Sequence, residues 1–247
     1  MFFFPFFCSY LQSFDRLKFI QLNKSPKLIE TPNFNEIPNL KKLVLEDCIN
    51  LLGLHPSNGV HKNLILLNLK GCKNLRKLPS KFEMKSLEIL ILSNCSKVKR
   101  IPEFGENMER ILELYLDGTT ITKLPTSIGN LTSLTSLGLR DCENLMSLPS
   151  TFFNMKTLEN VNLSGCSKLC KLLENLGTVE SVENVDVSGT TTRLMPYSNA
   201  PFQMLKKLVF GGFKANSPGP MSLLSPYLSG LCLLSRQSLV MLVAYSF

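Results

Sequence analysis

The chain of 247 residues has no tryptophan, only two histidines and a charged fraction of 19%. So few histidines restrict metal-ligand and general-base chemistry, which rely heavily on imidazole. There are eight cysteines, yet no two form a C-x-x-C pair, so the spacing of a zinc knuckle is missing. The patterns G-x-x-x-x-G-K-[ST], G-x-S-x-G and H-E-x-x-H are also absent. The sequence therefore predicts no catalytic residue, no cofactor and no metal, and the chain does not read as an enzyme. The opening, MFFFPFFCSY, has no basic segment or small-residue cleavage site and is interrupted by Pro5, which argues against a secretory signal. After Gln237 only ten residues are uncharged, about half of a membrane span. An apolar content of 44% excludes a disordered chain.

What the chain does have is a repeat. The pattern L-x-x-L-x-L occurs as Leu17/Ile20/Leu22, Leu40/Leu43/Leu45, Leu64/Leu67/Leu69 and Leu87/Leu90/Leu92. It continues as Ile111/Leu114/Leu116, Leu134/Leu137/Leu139, Leu158/Val161/Leu163 and Val182/Val185/Val187, and a ninth copy begins at Leu205/Leu208. Successive starts are separated by 23, 24, 23, 24, 23, 24, 24 and 23 residues. Eight positions after the first leucine stands Cys48, Cys72, Cys95, Cys142 or Cys166, and Leu78-Pro79, Ile101-Pro102 and Leu148-Pro149 close their units. The fifth and eighth units read Asp117-Gly118-Thr119-Thr120 and Ser188-Gly189-Thr190-Thr191, with threonine in place of cysteine.

This is the leucine-rich-repeat pattern. A strand alternates sides, so the leucines at positions four and six of each unit point inward. Each proline fixes φ and removes a donor, favouring an irregular return over a long helix. One unit cannot bury its own apolar face, so neighbours must stack. The predicted fold is an α/β leucine-rich-repeat solenoid. It has a curved, parallel β-sheet on the concave face and mostly irregular or short-helical convex returns. Strands about 4.8 Å apart make nine units roughly 40 Å long. Three segments are expected: an apolar stretch over 1–13, the solenoid over 14–213, and a degenerate tail over 214–247. The tail carries a decayed repeat candidate at Leu228/Leu231/Leu233.

Five cysteines at one repeat position read as a ladder of small buried thiols donating to loop carbonyls. Thiols there suit a reducing compartment, the cytoplasm or nucleus. Cys8, Cys170 and Cys232 fall outside the ladder. His55 and His61, flanking Pro56-Ser57-Asn58-Gly59, read as solvated loop residues. Ten Lys/Arg against two Glu lie between Lys62 and Ile101, giving 10 − 2 = +8 and leaving 17 basic against 17 acidic residues elsewhere. The simplest reading is solvated turn lysines. Without interleaved aromatics for base stacking, nucleic acid is not an expected partner.

The unit L-x-x-L-x-L-x-x-C-x-x-L-x-x-L-P, together with the intervening LDGTTITKLP form, closely resembles the repeat region of plant TIR-type nucleotide-binding leucine-rich-repeat disease resistance proteins. The resemblance covers about residues 14–213. It implies pathogen-effector recognition and restraint of the receptor until it is triggered. The implied partners are proteins: a pathogen effector, a host guardee or the receptor's own nucleotide-binding domain. Members of that family also carry a TIR domain and a P-loop domain, whose motifs this sequence lacks. The expectation is a truncated member that neither binds ATP nor cleaves NAD. The alternative, a stand-alone or extracellular interaction scaffold, predicts a signal peptide and asparagine in the ladder when extracellular.

In each unit, positions three, five, seven and eight should face the concave side. The candidate partner-binding residues are Lys42, Glu46, Leu66, Ile89, Ile91, Glu113, Tyr115, Asp117, Arg140, Asp141, Asn160, Asn162 and Asp186. Tyr115 and Arg140 stand out because both types are enriched at binding hot spots.

Overall fold

The computed structural model describes residues 14–169, 179, 181–190, 206–211 and 240–244. Each repeat signature becomes one short strand. In chain order these are β1 (Phe19–Gln21), β2 (Lys42–Val44), β3 (Leu66–Asn68), β5 (Ile89–Ile91), β7 (Glu113–Tyr115), β8 (Ser136–Gly138), β9 (Asn160–Asn162), β10 (Asn184–Asp186) and β11 (Lys207–Gly211). With β12 (Val240–Ala244) they form one ten-stranded parallel sheet in sequential order. The register is the register of the repeat: Leu43 pairs with Leu67, Leu90 with Leu114, and Leu137 with Val161.

A single core runs beneath the sheet. Leu43, Leu67, Leu90 and Leu114, at position four, and Leu45, Leu69, Leu92 and Leu116, at position six, are at most 1% exposed. Phe82, Phe104, Ile128 and Phe152 fill it from the return side and are equally buried. The returns take two forms. In the third and fourth units β4 (Lys81–Phe82) and β6 (Glu103–Phe104) pair in parallel, and the two phenyl rings stack at 6.1 Å. In the fifth and sixth units 3-10 helices cover Thr126–Asn130 and Ser150–Asn154, each entered from a proline, Pro125 or Pro149. Among the described residues no return is an α-helix, although the α/β expectation allowed one. A unit of 23 or 24 residues with a proline at its corner leaves room for one 3-10 turn only.

The tail differs from its expected register. β12 pairs Val240 with Lys207 and Met241 with Leu208, 33 positions on rather than one repeat length. The decayed-repeat candidate at Leu228/Leu231/Leu233, the segment 1–13, and Cys8, Cys170 and Cys232 lie outside the described residues.

Both histidines depart from the solvated-loop expectation. His61 is 7% exposed, and its Nε2–H donates to the Ile37 carbonyl at 2.9 Å. His55 accepts the Ser57 N–H on Nδ1 at 3.2 Å and so caps the 3-10 helix Pro56–Gly59. Thr31, on the first unit, accepts from the His55 and Asn58 nitrogens at 2.7 and 2.6 Å. The loop is thus tied into the stack by a buried polar network.

Candidate functional site: the exposed face of the sheet

In every strand from β2 to β10 the central residue is buried, while the position-three and position-five side chains stand at the surface wherever they are more than a hydrogen. Because register is exact, these side chains form two continuous rows. The position-three row runs Phe19, Lys42, Leu66, Ile89, Glu113, Ser136, Asn160, Asn184. The position-five row runs Gln21, Val44, Asn68, Ile91, Tyr115, Gly138, Asn162, Asp186. Among the candidates, Lys42, Leu66, Ile89, Glu113 and Asn160 fall in the first row, and Ile91, Tyr115, Asn162 and Asp186 in the second. Glu46, Asp117, Arg140 and Asp141 lie beyond the strand ends, at the rim.

The rim is shaped by one left-handed residue per unit, at position eight. Lys24, Asp47, Asn94 and Asp141 take φ between 53° and 62°, and Gly71, Gly118, Gly165 and Gly189 between 64° and 75°. From Lys24 to Gly165 their N–H groups donate to the position-seven carbonyl of the next unit, as Asp47 does to Lys70 at 2.7 Å and Asp141 to Ser164 at 2.7 Å. Glycine is needed for space as well as for φ. A Cβ on Gly71 would lie 2.1 Å from Asp47 Oδ1, and one on Gly165 2.2 Å from Asp141 Oδ1. The position-eight side chains of Asp47, Asn94 and Asp141 therefore lie over the glycine of the next unit, whereas Lys24 is followed by Asp47.

Several polar candidates also hold the rim backbone. Asn162 Oδ1 accepts the Ser164 N–H at 3.0 Å, and Asp186 Oδ1 the Ser188 N–H at 2.9 Å. The sixth unit has Gly138 at position five and cannot do this for itself. Asp117, from the preceding unit, instead accepts the Arg140 N–H at 2.9 Å and the Ser93 hydroxyl at 3.0 Å. Asn184 Nδ2 donates to Asn160 Oδ1 at 2.7 Å. Arg140 Nε pairs with the Asp141 carboxylate at 3.3 Å, well exposed, and Lys70 pairs with Glu46 at 3.2 Å.

The missing side chain at Gly138 opens a depression of about 400 Å³, lined by Tyr115, Asp117, Arg140, Asn162 and Asp186 among others. The Tyr115 ring closes one side, 2.9 Å from where a Gly138 Cβ would sit. Burial, and then the neighbouring carboxylate of Glu113, raise the Tyr115 phenol above the ordinary tyrosine range. It stays a neutral hydrogen-bonding group. Lys42, Glu46, Leu66 and Ile89 do not reach this depression. Sequence reasoning passed over Phe19, half exposed at 50% in β1, and Ser136 and Gly138 in β8. Counting positions three and five from Leu17 and Leu134 would have found them.

Beneath the rim runs the thiol ladder. Each described cysteine donates its S–H to the position-six carbonyl of the preceding unit: Cys48 to Leu22 at 2.9 Å, Cys72 to Leu45 at 3.1 Å, Cys95 to Leu69 at 3.1 Å, Cys142 to Leu116 at 3.2 Å and Cys166 to Leu139 at 3.1 Å. All five are buried and free. Burial pushes the thiols of Cys95 and Cys166 up to about 12 and raises the other three as well. They remain protonated donors. Thr119 and Thr190 instead donate within their own units, to Leu116 and Val187, at 2.8 Å each.

Strand leucines, a turn thiol and a closing proline, stacked in exact register under an open side-chain grid, define a leucine-rich-repeat solenoid. Residues 82–204, about half of the chain, match the family described as "Disease resistance protein RPS4B-like, leucine-rich repeats". The chain belongs to the leucine-rich-repeat region of plant TIR-type disease resistance proteins. It is 40% identical over 134 residues to disease resistance protein RPP2A of Arabidopsis thaliana, covering 54% of this chain and 10% of the relative. It is 36% identical over 132 residues to TMV resistance protein N of Nicotiana glutinosa, covering 53% and 12%. Disease resistance protein RPS4B of Arabidopsis thaliana is 34% identical over 129 residues, covering 52% and 9%. The aligned part thus spans about a tenth of the length of these relatives. Among the described residues no helix is long and apolar enough to cross a membrane.

Proposed function

We propose that this chain is the protein-binding recognition module of a plant intracellular immune receptor, with the exposed sheet face as its contact surface. Effector recognition, or restraint of a nucleotide-binding domain, is its task. The observation that carries this reading is the patch formed by Leu66, Ile89, Ile91 and Tyr115. These are neighbouring side chains on adjacent strands, held rigidly at the surface over a fully buried row. A contiguous apolar patch on a rigid surface marks an interaction site, and its tyrosine is an anchor type. The module acts by contact, not by chemistry. The buried, protonated thiols support residence in the reducing cytoplasm over the extracellular alternative.

The test is site-specific photocrosslinking in plant cells, with the photoreactive residue at Ile89 or, as a return-side control, at Lys156. The expected result is adducts to an immune-receptor nucleotide-binding domain or a pathogen effector from position 89, lost on Tyr115→Ala. Adducts from position 156 alone would overturn the assignment of the face.

A further inference from the structure

The third and fourth units carry a second surface, on the flank between the turn and the return. Near position fourteen the backbone forms a minor ladder of isolated bridges, Glu30 to Gly53 to Lys77, and then Lys123, at position thirteen of the fifth unit, to Ser147. The fourth unit takes no part, although Arg100 occupies the equivalent position. Among the described residues no hydrogen bond joins the backbone of 99–102 to that of 76–80, whereas Arg76 and Lys77 both donate to Leu52 in the unit before. The physical reason is on the side chains. By repeat position Arg76 corresponds to Lys99 and Lys77 to Arg100, and like charges at matching positions of adjacent segments disfavour pairing.

The result is a groove of about 1070 Å³. Arg76, Lys97, Lys99 and Arg100 line its walls, with Leu78 and Ile101 among its apolar residues. The four cations are exposed, and none has an ion pair among the described residues. The one carboxylate in the lining, Glu103, accepts the Ser127 hydroxyl. On the far side the fifth unit is clasped to the fourth, Thr120 Oγ1 donating to the Ser96 and Val98 carbonyls at 3.0 and 3.1 Å. The minor ladder is thus missing on both sides of the fourth unit, and Thr120 holds the fifth unit to it at residues 96–98.

We propose that this groove is a docking surface for an acidic, extended polypeptide segment. Carboxylates of the segment would neutralise the facing cations and relieve their repulsion. An aliphatic side chain would cover Leu78, which is only partly buried beside the buried Ile101. Segment carbonyls would accept from the Lys99 and Arg100 N–H groups, which make no backbone hydrogen bond among the described residues. Single-stranded nucleic acid fits less well, because the lining contains no aromatic side chain on which a base could stack. The groove is separate from the sheet face, and its function does not depend on the role of that face.

Fluorescence anisotropy with the whole chain and a labelled oligoglutamate peptide tests this, at about 0.15 M salt where long-range attraction is screened. The expected result is saturable binding that weakens at least tenfold in the variant Arg76→Ser/Lys97→Ser/Lys99→Ser/Arg100→Ser and is unchanged in Tyr115→Ala. A charge-matched control, Lys41→Ser/Lys62→Ser/Lys73→Ser/Lys85→Ser, removes four exposed cations outside the lining and should lose less than threefold. The peptide should also raise the melting temperature of the unaltered chain and leave that of the groove variant unmoved. Equal loss in both quadruple variants would reduce the effect to net charge and overturn the proposal. So would tighter binding of oligouridylate than of oligoglutamate, or no saturable binding at all.

Discussion

The two halves of the exposed sheet face differ, although the structure beneath them does not. From the first to the fifth unit the grid presents Phe19, Val44, Leu66, Ile89, Ile91 and Tyr115 beside Gln21, Lys42, Asn68 and Glu113. From the sixth to the eighth it presents Ser136, Gly138, Asn160, Asn162, Asn184 and Asp186. Under both, the position-four and position-six residues are almost fully buried, from Leu43 and Leu45 to Val185 and Val187. The core requires the same residue classes in every unit because each unit contacts only its neighbours. The outer grid is under no such demand. Its apolar side chains cost solubility without supporting the stack, which is why their clustering points to a partner.

The comparison can be broken at the core. Leu90→Ala and Leu137→Ala remove equivalent position-four side chains under the apolar and the polar half. Each should cost about 2–5 kcal/mol. Chemical denaturation that gave one substitution a large cost and the other almost none would refute a uniform core.

Alkaline pH is the next probe. A thiol whose folded pKa is raised to about 12, as for Cys95 and Cys166, binds its proton more tightly folded than unfolded. Its contribution is fully present below the ordinary thiol range, near 8.5, and is lost as pH rises toward 12. Melting temperature should therefore fall between those limits. Cys95→Ala should flatten that fall, and Cys166→Ala should flatten it equally in the polar half.

A smaller effect is expected at the rim. Gly165→Ala forces a side chain into the left-handed region and against the Asp141 carboxylate. The conformational part alone is worth about 1–2 kcal/mol. Adding Asp141→Gly should remove the steric part and leave the conformational one. A thermal-melt double-mutant cycle reads the coupling, and Gly71→Ala with Asp47→Gly should repeat it in the apolar half.

The smallest effect lies where the thiol ladder is interrupted. Thr119→Cys should reach the Leu92 carbonyl and join the ladder, stabilising by about 0.5–1.5 kcal/mol, the net worth of one hydrogen bond. A neutral or unfavourable change in denaturation midpoint would show that threonine's bond within its own unit is the better one.

Much of this was legible in the residues. The strand register, the buried row and the cysteine ladder follow from one alignment of the repeat. Parallel stacking converts sequence period directly into spatial neighbours. The grid positions followed by the same counting, and Phe19 escaped only because the count was not begun at Leu17. The double duty of Asp117 was not legible. It depends on Gly138, one unit away, having no side chain to hold the Arg140 amide. The histidines were misread for a related reason. A loop with proline, serine, asparagine and glycine looks solvated until Thr31, from the preceding unit, is found beneath it.

The sequence by itself determined the architecture: unit length, strand placement, the inward leucines and thiols, and membership of the disease-resistance repeat family. Those features recur from unit to unit, the thiol in five of them, and recurrence is visible in one dimension. Only the tertiary structure decided which polar groups hold the rim and which are left for a partner. It alone turned a run of lysines and arginines into a groove. That outcome depends on which charges adjacent units bring to matching repeat positions, as with Arg76 and Lys99, and on the fourth unit standing outside the minor ladder.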